Sequence, residues 1–263
     1  AGLSAVDSAM RLPLVGERVH RLFPLTVLVS NVGPQLPQPV GSLGRAVAFS
    51  FPTRFIALGS AFGLFPLQDE VVPVPVGPRY RTAALTDNGI RDGQSMEALA
   101  KLKPVFQADG TVTAGNSSGI TDGASAMVVL GRAAAERLGV RPMARLRGYR
   151  VDAVAPEIMG IGPVPAVRNL LRQTGVRLEE IDLVELNEAF AAQVLAVDAE
   201  LGFDAARLNV NGGAIALGHP IGCSGNRIVV TLLHEMERRD ARLGLATLCV
   251  SGGMGGALLA ERA

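Results

Sequence analysis

The chain has 263 residues, of which 48% are hydrophobic, and a formal net charge of +1 at pH 7. This length and apolar content suit one large domain or two modest ones with a hydrophobic core. A charge near zero argues against nucleic acid as the main partner, because a basic face is the usual footprint of such proteins. The apolar stretch at residues 55–67 is short and contains Pro66, so it predicts no transmembrane helix. We expect no nucleic-acid and no membrane partner.

The cysteine content indicates the compartment. The two cysteines, Cys223 and Cys249, do not form the spacing pattern of a disulfide framework. Free thiols are typical of a reducing compartment. The first residues lack a basic region followed by an apolar run, so we expect no secretory leader. Together these features predict a cytoplasmic protein.

Residues 1–68 give the weakest secondary-structure signal. The proline-rich run at residues 33–40 would interrupt a helix or a central strand. Apolar runs at residues 25–30 and 47–50 are candidate strands. A divergent substrate loop, a remnant and the product of a damaged upstream reading frame remain open for this region.

The next part of the chain predicts a few regular elements. We expect an extended segment at residues 70–74 and a short helix at residues 96–103, with Pro104 just past its end. Small and apolar residues alternate at residues 123–130, which predicts a buried strand. A helix at residues 132–138 would end at Gly139.

From residue 142 onward, strands and helices alternate clearly. Strands are predicted at residues 142–154, 183–186, 208–210, 245–250 and 257–260. One helix ends at Gly175 and the next at Gly202, and Ser224 can cap a third whose apolar residues lie on one face. Residues 156–165 are predicted to form a loop. This alternation with short connections is typical of a layered α/β fold.

Three motifs carry the candidate chemistry. They read VELNEAFA at residues 184–191, NGGAIALGHPIGCSG at residues 211–225 and ATLCVSGGMG at residues 246–255. The first and third place a polar or thiol group after a strand, where open α/β sheets put their functional groups. The second places a histidine in a glycine-rich turn before a helix. The convergence of all three is expected.

In this order the three motifs resemble those of the thiolase family, and the resemblance is also close over residues 94–130. It implies a thiolase-like layered α/β fold, with mixed sheets and helices packed between and outside them. It also implies a division of the chain: residues 1–68 have no match, residues 69–141 form a partial N-terminal thiolase-like domain, and residues 142–263 form a C-terminal one.

The resemblance implies an acyltransferase. Thiolases condense acetyl- or acyl-coenzyme A (CoA) units, or cleave a 3-ketoacyl-CoA with free CoA, in fatty acid metabolism. The implied substrates and partners are CoA and its thioesters, with no permanently bound cofactor. The family's homo-oligomers, dimers or tetramers, are implied too. Chain-length preference and reaction direction remain open.

The resemblance also assigns roles to three residues. Cys249 matches the acid/base cysteine, and donors near a thiol can lower its pKa from ~8.5 toward neutrality. His219 matches the histidine that activates a nucleophilic cysteine and donates to the thioester oxygen. Asn187 matches the asparagine that holds a water in one oxyanion hole.

Further positions match the family's substrate-binding residues. The backbone N–H of Ser251 corresponds to part of a second oxyanion hole, although many thiolases have glycine there. Five positions match the channel for the pantetheine arm: Phe106, Ala114, Ser118, Ala189 and Phe190.

Each of these residues also has a purely structural interpretation. Cys249 can be a small buried hydrophobe in a strand, and His219 a satisfied structural histidine. Asn187 can cap the helix that follows it. Glu188 is expected to be structural or to orient a neighbour, and the other two histidines, His20 and His234, to lie on the surface.

One feature of the family's pattern is absent. The resemblance places the nucleophilic cysteine in the N-terminal half, but no cysteine precedes Cys223, and Cys223 is not its equivalent. The sequence therefore leaves two readings open, a thiolase-type enzyme and a non-catalytic acyl-CoA-binding or accessory subunit. A zinc site at Cys223, Cys249 and His219 lacks an evident fourth ligand, so we expect no metal. The glycine runs lack a phosphate-loop motif.

Overall fold

A computed structural model describes residues 27–30, 72–76, 79, 81–84 and 94–263, with only the backbone for residues 27–30 and 84. The described part confirms the layered α/β fold with a mixed sheet and helices. The strand expected at residues 47–50 lies outside the described residues.

The described part of the chain contains eight strands and six α-helices. The strands are β1 (Val27–Ser30), β2 (Val74–Val76), β3 (Thr82–Ala84), β4 (Val128–Gly131), β5 (Ala144–Ala153), β6 (Leu183–Leu186), β7 (Leu243–Val250) and β8 (Met254–Arg262). The helices are α1 (Met96–Ala100), α2 (Arg132–Leu138), α3 (Pro163–Thr174), α4 (Ala191–Leu201), α5 (Ala214–Leu217) and α6 (Ser224–Arg238). Two 3₁₀ helices span Pro156–Ile161 and Leu178–Glu180.

Six strands form one mixed sheet in the order β4-β1-β5-β8-β7-β6. Strand β1 runs parallel to both β4 and β5, and β6 runs parallel to β7. Strand β8 is antiparallel to both its neighbours, β5 and β7. Strands β2 and β3 form a separate antiparallel pair. The carboxyl ends of β6 and β7 therefore lie side by side at one edge of the six-stranded sheet.

The two faces of the sheet are covered by different helices because side chains alternate along each strand. One core cluster packs Leu170 of α3 and Val197 of α4 against Leu245 of β7. The other packs Leu232 and the apolar face of α6 against Ala246, the next residue of β7. Helix α6, which follows the histidine turn in the chain, therefore covers this second face of the sheet.

The predicted helix stops agree with the structure. Gly139, Gly175 and Gly202 follow helices α2, α3 and α4 with φ of 63°, 68° and 72°. This left-handed conformation is one that glycine adopts without a Cβ penalty, so each glycine ends its helix where the pattern indicated.

Four predicted elements differ from the structure. Only the end of the run at residues 123–130 is a strand, and Val129 in it is 53% exposed rather than buried. The run's start is a loop in which Gly123 packs against Pro220. Helix α1 stops at Ala100, because Lys101 and the residues before Pro104 form a turn. The expected loop at residues 156–165 is a 3₁₀ helix followed by the start of α3.

Residues 208–210 form a single bridge from Leu208 to Val184 rather than a strand. The reason is Asn209, whose φ of 45° turns the backbone away from an extended path. None of the helices among the described residues has the length and apolar character needed to cross a membrane.

Removing a core side chain from α6 tests this packing. Leu232→Ala leaves a cavity in the second cluster, so the free energy of unfolding in urea should fall by about 3 kcal/mol. Leu195→Ala is the matched control, because Leu195 is 68% exposed on α4. A similar loss in both variants would contradict the assignment of Leu232 to the core.

Candidate functional site

Asn187 lies at the junction of two strands and the histidine loop. It directly follows β6, and its backbone N–H donates to Thr247 O of β7 at 3.0 Å. Its side chain is fully buried, and Nδ2 lies 3.5 Å from His219 Nε2. The interpretation of Asn187 as a helix cap is wrong, because α4 begins at Ala191 with Phe190 in the capping position. Its amide instead faces the site.

The buried side chain of Asn209 fixes the end of β6. Its Oδ1 accepts from Leu186 N, and its Nδ2 donates to Leu186 O, each at 2.8 Å. The amide thus pairs with the strand as a neighbouring peptide group would. The same Nδ2 donates to Glu188 Oε1 at 2.9 Å, so one side chain positions both residues that flank Asn187.

Glu188 connects the end of β6 to the glycine-rich loop. It is fully buried, and its Oε2 accepts from Ile215 N at 3.2 Å. A Cβ on Gly213 would overlap the Glu188 carboxyl group, so only glycine permits this approach. Burial raises the pKa of Glu188, and the hydrogen bonds from Asn209 and Ile215 offset the rise in part. Glu188 therefore holds the loop in place, as the orienting interpretation expected.

His219 is held at three points. Its backbone N–H donates to Gly119 O at 2.7 Å, and its Nδ1 lies 2.6 Å from Ser224 Oγ. Its Nε2 faces Asn187. Burial lowers the pKa of His219, and the positive charge of Arg227 lowers it further, so the imidazole is neutral near pH 7.

Ser224 does not cap helix α6 as expected. The capping position belongs to Cys223, and Ser224 is the first residue of the helix. Its hydroxyl donates to Pro220 O at 3.1 Å and contacts the His219 ring. The sequence analysis missed this contact, although a serine five residues after the histidine in the same turn is a usable signal.

Cys249 is buried near the end of β7, where it pairs with Gly255 of β8. Burial raises the pKa of its thiol, and its backbone hydrogen bond offsets the rise only in part. The expectation that nearby donors lower this pKa is wrong in the structure, because desolvation of the thiolate is the larger effect. The thiol is therefore protonated at neutral pH.

The glycine-rich turn after Cys249 is a tight hairpin loop. Gly252 and Gly253 have φ of 82° and 92°, and a Cβ on Gly253 would overlap Val154 O. Gly253 O also accepts from Val154 N at 2.8 Å. Ser251 lies at the exposed start of the loop, where its side chain meets no such restriction.

The candidate substrate-binding residues lie on two adjoining segments. Ser118 donates to Ala189 O from both its backbone N and its Oγ, each at 3.0 Å. The rings of Phe106 and Phe190 meet edge to face with centroids 6.1 Å apart. Ala114 is exposed on the same loop as Ser118. The structure thus brings Phe106 and Ser118 against Phe190 and Ala189.

A pocket of about 270 Å³ lies between residues 121–125 and the turn that follows His219. Its polar lining includes Thr121, Ser125 and Asn226, together with the Cys223 thiol. Cys223 Sγ donates to Ser125 Oγ at 3.3 Å, and Asn226 Nδ2 donates to the same oxygen at 2.6 Å. None of the nine candidate site residues lines this pocket, and the sequence analysis did not identify it.

The sequence analysis also missed a buried ion pair. Arg227 of α6 and Glu185 of β6 form a buried ion pair with an N···O distance of 3.6 Å. The pair joins the helix after the histidine loop to the strand before Asn187.

His234 is half-buried rather than on the surface, and His20 lies outside the described residues.

Comparisons with known proteins agree with these motifs. Residues 140–262 match the family model described as the thiolase C-terminal domain, and residues 63–133 match the thiolase N-terminal domain. The chain belongs to the thiolase family.

Its relatives include acetyl-CoA acetyltransferases from two bacteria. It is 56% identical over 197 residues to that of Chromobacterium violaceum and 57% identical over 198 residues to that of Pseudomonas aeruginosa. Each alignment covers 74% of this chain and 50% of the relative. The chain thus spans about half the length of the curated relatives that it matches.

Solved structures of thiolases are also similar to this chain. The crystal structure of human mitochondrial 3-ketoacyl-CoA thiolase matches with a TM-score of 0.69 and 44% identity, covering 74% of this chain and 50% of the other. A structure of that human thiolase in complex with CoA matches with a TM-score of 0.68. The Bacillus anthracis acetyl-CoA acetyltransferase matches with a TM-score of 0.69 and 46% identity, with the same coverage.

The lowered pKa of His219 predicts an acid-sensitive fold. The unfolded chain binds a proton at this histidine near pH 6.5, whereas the folded chain binds it only at lower pH. The unfolding free energy should therefore fall as the pH drops from 6.5 to the folded pKa. His219→Gln should flatten that fall in urea titrations at several pH values. An unchanged pH profile in the variant would contradict it.

Because its pKa is raised, the Cys249 thiol should react slowly with an alkylating reagent at neutral pH. In a Cys223→Ser variant, Cys249 is the only remaining cysteine. Its rate of alkylation by iodoacetamide should follow a pH curve whose midpoint lies above that of an ordinary exposed thiol. The same variant unfolded in urea is the control and should return to an ordinary midpoint. A folded midpoint no higher than that of the unfolded variant would count against the burial argument.

Proposed function

We propose that this chain takes part in thiolase-type acyl transfer, the condensation of acyl-CoA units or the thiolysis of a 3-ketoacyl-CoA. The observation that carries the proposal is the approach of His219 Nε2 to the buried amide of Asn187, at 3.5 Å. This pair lies beside the strand that carries Cys249. Family membership and the activities named for the relatives support the same assignment.

In this proposal His219 and Asn187 bind the developing oxyanion. A thioester oxygen gains negative charge as an α-proton leaves, and fixed donors stabilise that charge more effectively in a buried site than in water. Asn187 Oδ1 has no hydrogen-bond partner within the described part of the chain. It can therefore accept from a water whose other proton points to the substrate, which is the role that the family resemblance implies for this asparagine.

Cys249 is the proposed acid/base group. Its raised pKa keeps the thiol protonated at neutral pH, so it begins the reaction as a proton donor. Thiolysis requires a donor for the leaving carbon, and condensation requires the reverse transfer. Ser251 would supply a backbone N–H near this thiol for the second oxyanion.

The acyl-CoA arm would run along the segment formed by Phe106, Ala114, Ser118, Ala189 and Phe190. The two hydrogen bonds from Ser118 to Ala189 O hold the two segments of this path together. A solved relative in complex with CoA is consistent with this choice of substrate. No permanently bound cofactor enters the proposal.

We further propose a domain division, an oligomeric state and a location. The chain divides into residues 1–68, an N-terminal thiolase-like part at residues 69–141 and a C-terminal thiolase-like part at residues 142–263. It functions as a homo-oligomer. It functions in the cytoplasm, as expected from its free thiols.

Acyl transfer can be tested directly. The purified chain is incubated with acetyl-CoA or acetoacetyl-CoA, and intact mass and released CoA are measured. Asn187→Ala should lower the rate of CoA release by about 10²-fold, the usual effect of losing an oxyanion donor. Leu195→Ala is the control for the handling of the protein, since Leu195 is exposed and lies outside the proposed site.

The adduct locates the covalent step. The chain has two thiols, so an acyl group on cysteine must be on Cys223 or Cys249, and Cys223→Ser distinguishes them. Turnover that responds to Asn187 supports the proposal. Protection of the fold by CoA esters against heat, with neither adduct nor turnover, would instead indicate an acyl-CoA-binding subunit and overturn it.

A further inference from the structure

The chain between strand β5 and helix α3 is attached at both ends to the hairpin that follows Cys249. At one end, Val154 N donates to Gly253 O at 2.8 Å. At the other end, the backbone of Gly162 lies directly against Gly255 of β8. The 3₁₀ helix between these two contacts also touches β7 and β8. Residues 154–162 therefore form a bridging segment across the end of the β7–β8 hairpin.

The contact between Gly162 and Gly255 is possible only because neither residue has a side chain. A Cβ on Gly162 would lie 2.5 Å from Met254 O, and a Cβ on Gly255 would overlap Gly162 O. The φ of −49° and ψ of −36° at Gly162 are open to every residue. The close approach of the two backbones, rather than the local conformation, is therefore what requires glycine at position 162.

The bridging segment lies on the same face of the sheet as the Cys249 side chain. Cys249 is directly opposite Gly255 in the antiparallel pair of β7 and β8, and opposite residues point to the same face. Leu245, four residues before Cys249, shares this face and belongs to the core cluster under α3 and α4. Ile161 of the bridging segment packs against that same cluster.

Cys249 is only 6% exposed, although it lies near the end of its strand. We propose that Gly162 is a positioning residue: its backbone contact with Gly255 seats the bridging segment over the Cys249 thiol and keeps water away from it. The consequence for acyl transfer rests on the proposed function. A thiol that exchanges protons with a substrate carbon has to be held in place, and shielding keeps its proton from exchanging with solvent.

The reactivity of the thiol tests this contact without any substrate. The parent is the whole chain with Cys223→Ser, in which Cys249 is the only cysteine. Adding Gly162→Ala places a Cβ against Met254 O, so the bridging segment has to move away. The rate of alkylation by iodoacetamide at neutral pH should then rise by about tenfold, because water that reaches the thiol favours its thiolate. Circular dichroism and urea unfolding show whether the variant is folded.

Gly131→Ala in the same parent is the matched control. Among the described residues, a Cβ on Gly131 would have no atom within 4 Å, so this variant should leave the alkylation rate unchanged. An unchanged rate in a folded Gly162→Ala chain would overturn the proposal. An equal rise in Gly131→Ala would also overturn it.

A second variant loosens the bridging segment without adding atoms. Ile161→Ala removes part of the packing that holds the segment on the core cluster, and it introduces no clash. The alkylation rate of Cys249 should rise in this variant too, and Leu195→Ala, at an exposed position, should not change it. The variant decides the question if Gly162→Ala does not fold. A rate equal to that of the parent would contradict the seating role.

An activity assay adds a readout that a purely structural role would not give. With acetoacetyl-CoA and Cys223 intact, Gly162→Ala should lower kcat by about tenfold and leave KM nearly unchanged, because it disturbs the acid/base thiol rather than substrate binding. A rise in KM with unchanged kcat would overturn the positioning role. Alkylation requires no turnover, so a failure of the proposed function is distinguishable from a failure of this inference.

Discussion

The site depends on the hydrogen bonds that the Asn209 side chain makes to both backbone groups of Leu186. Strand β6 is the last strand of the sheet, so one of its edges has no neighbouring strand within the described residues. The Asn209 amide satisfies that edge where a strand would otherwise pair. Its left-handed φ costs about 1 kcal/mol, and the buried hydrogen bonds offset that cost.

From this point the remaining contacts follow in sequence. Asn209 also donates a hydrogen bond to Glu188. Glu188 accepts one from Ile215 N, and Gly213 allows this because it has no Cβ to block the carboxyl group. The loop then continues to His219. The Arg227–Glu185 ion pair ties the same strand to helix α6. A loop held by buried polar contacts on both sides can keep a histidine ring in one orientation, which is what an acid/base site requires.

The pattern of the sequence was sufficient for much of the fold. The 3.6-residue apolar period of α6 and the glycine stops at Gly139, Gly175 and Gly202 are local features, so they could be predicted. The strand expected at residues 208–210 failed because a side chain, Asn209, took the place of backbone pairing. No local sequence pattern indicates that a side chain will take the place of backbone pairing.

The motifs indicated which residues to propose for the site, but not how those residues are arranged. Motif order named Asn187, His219 and Cys249, but the orientation of each depends on residues distant in sequence. Ser224 was predicted as a helix cap because serine favours that position, whereas its contact with the His219 ring arises only when the turn closes. The raised pKa of Cys249 likewise follows from tertiary burial, which the flanking glycines do not indicate.

The proposed function requires that acyl groups bind at the pair formed by His219 and Asn187. The most direct measurement is a crystal structure of the chain with acetoacetyl-CoA. The account predicts a thioester or ketone oxygen within hydrogen-bond distance of His219 Nε2, with the Glu188 and Asn209 contacts unchanged. An acyl group seated instead in the pocket lined by Thr121, Ser125 and Asn226 would contradict it.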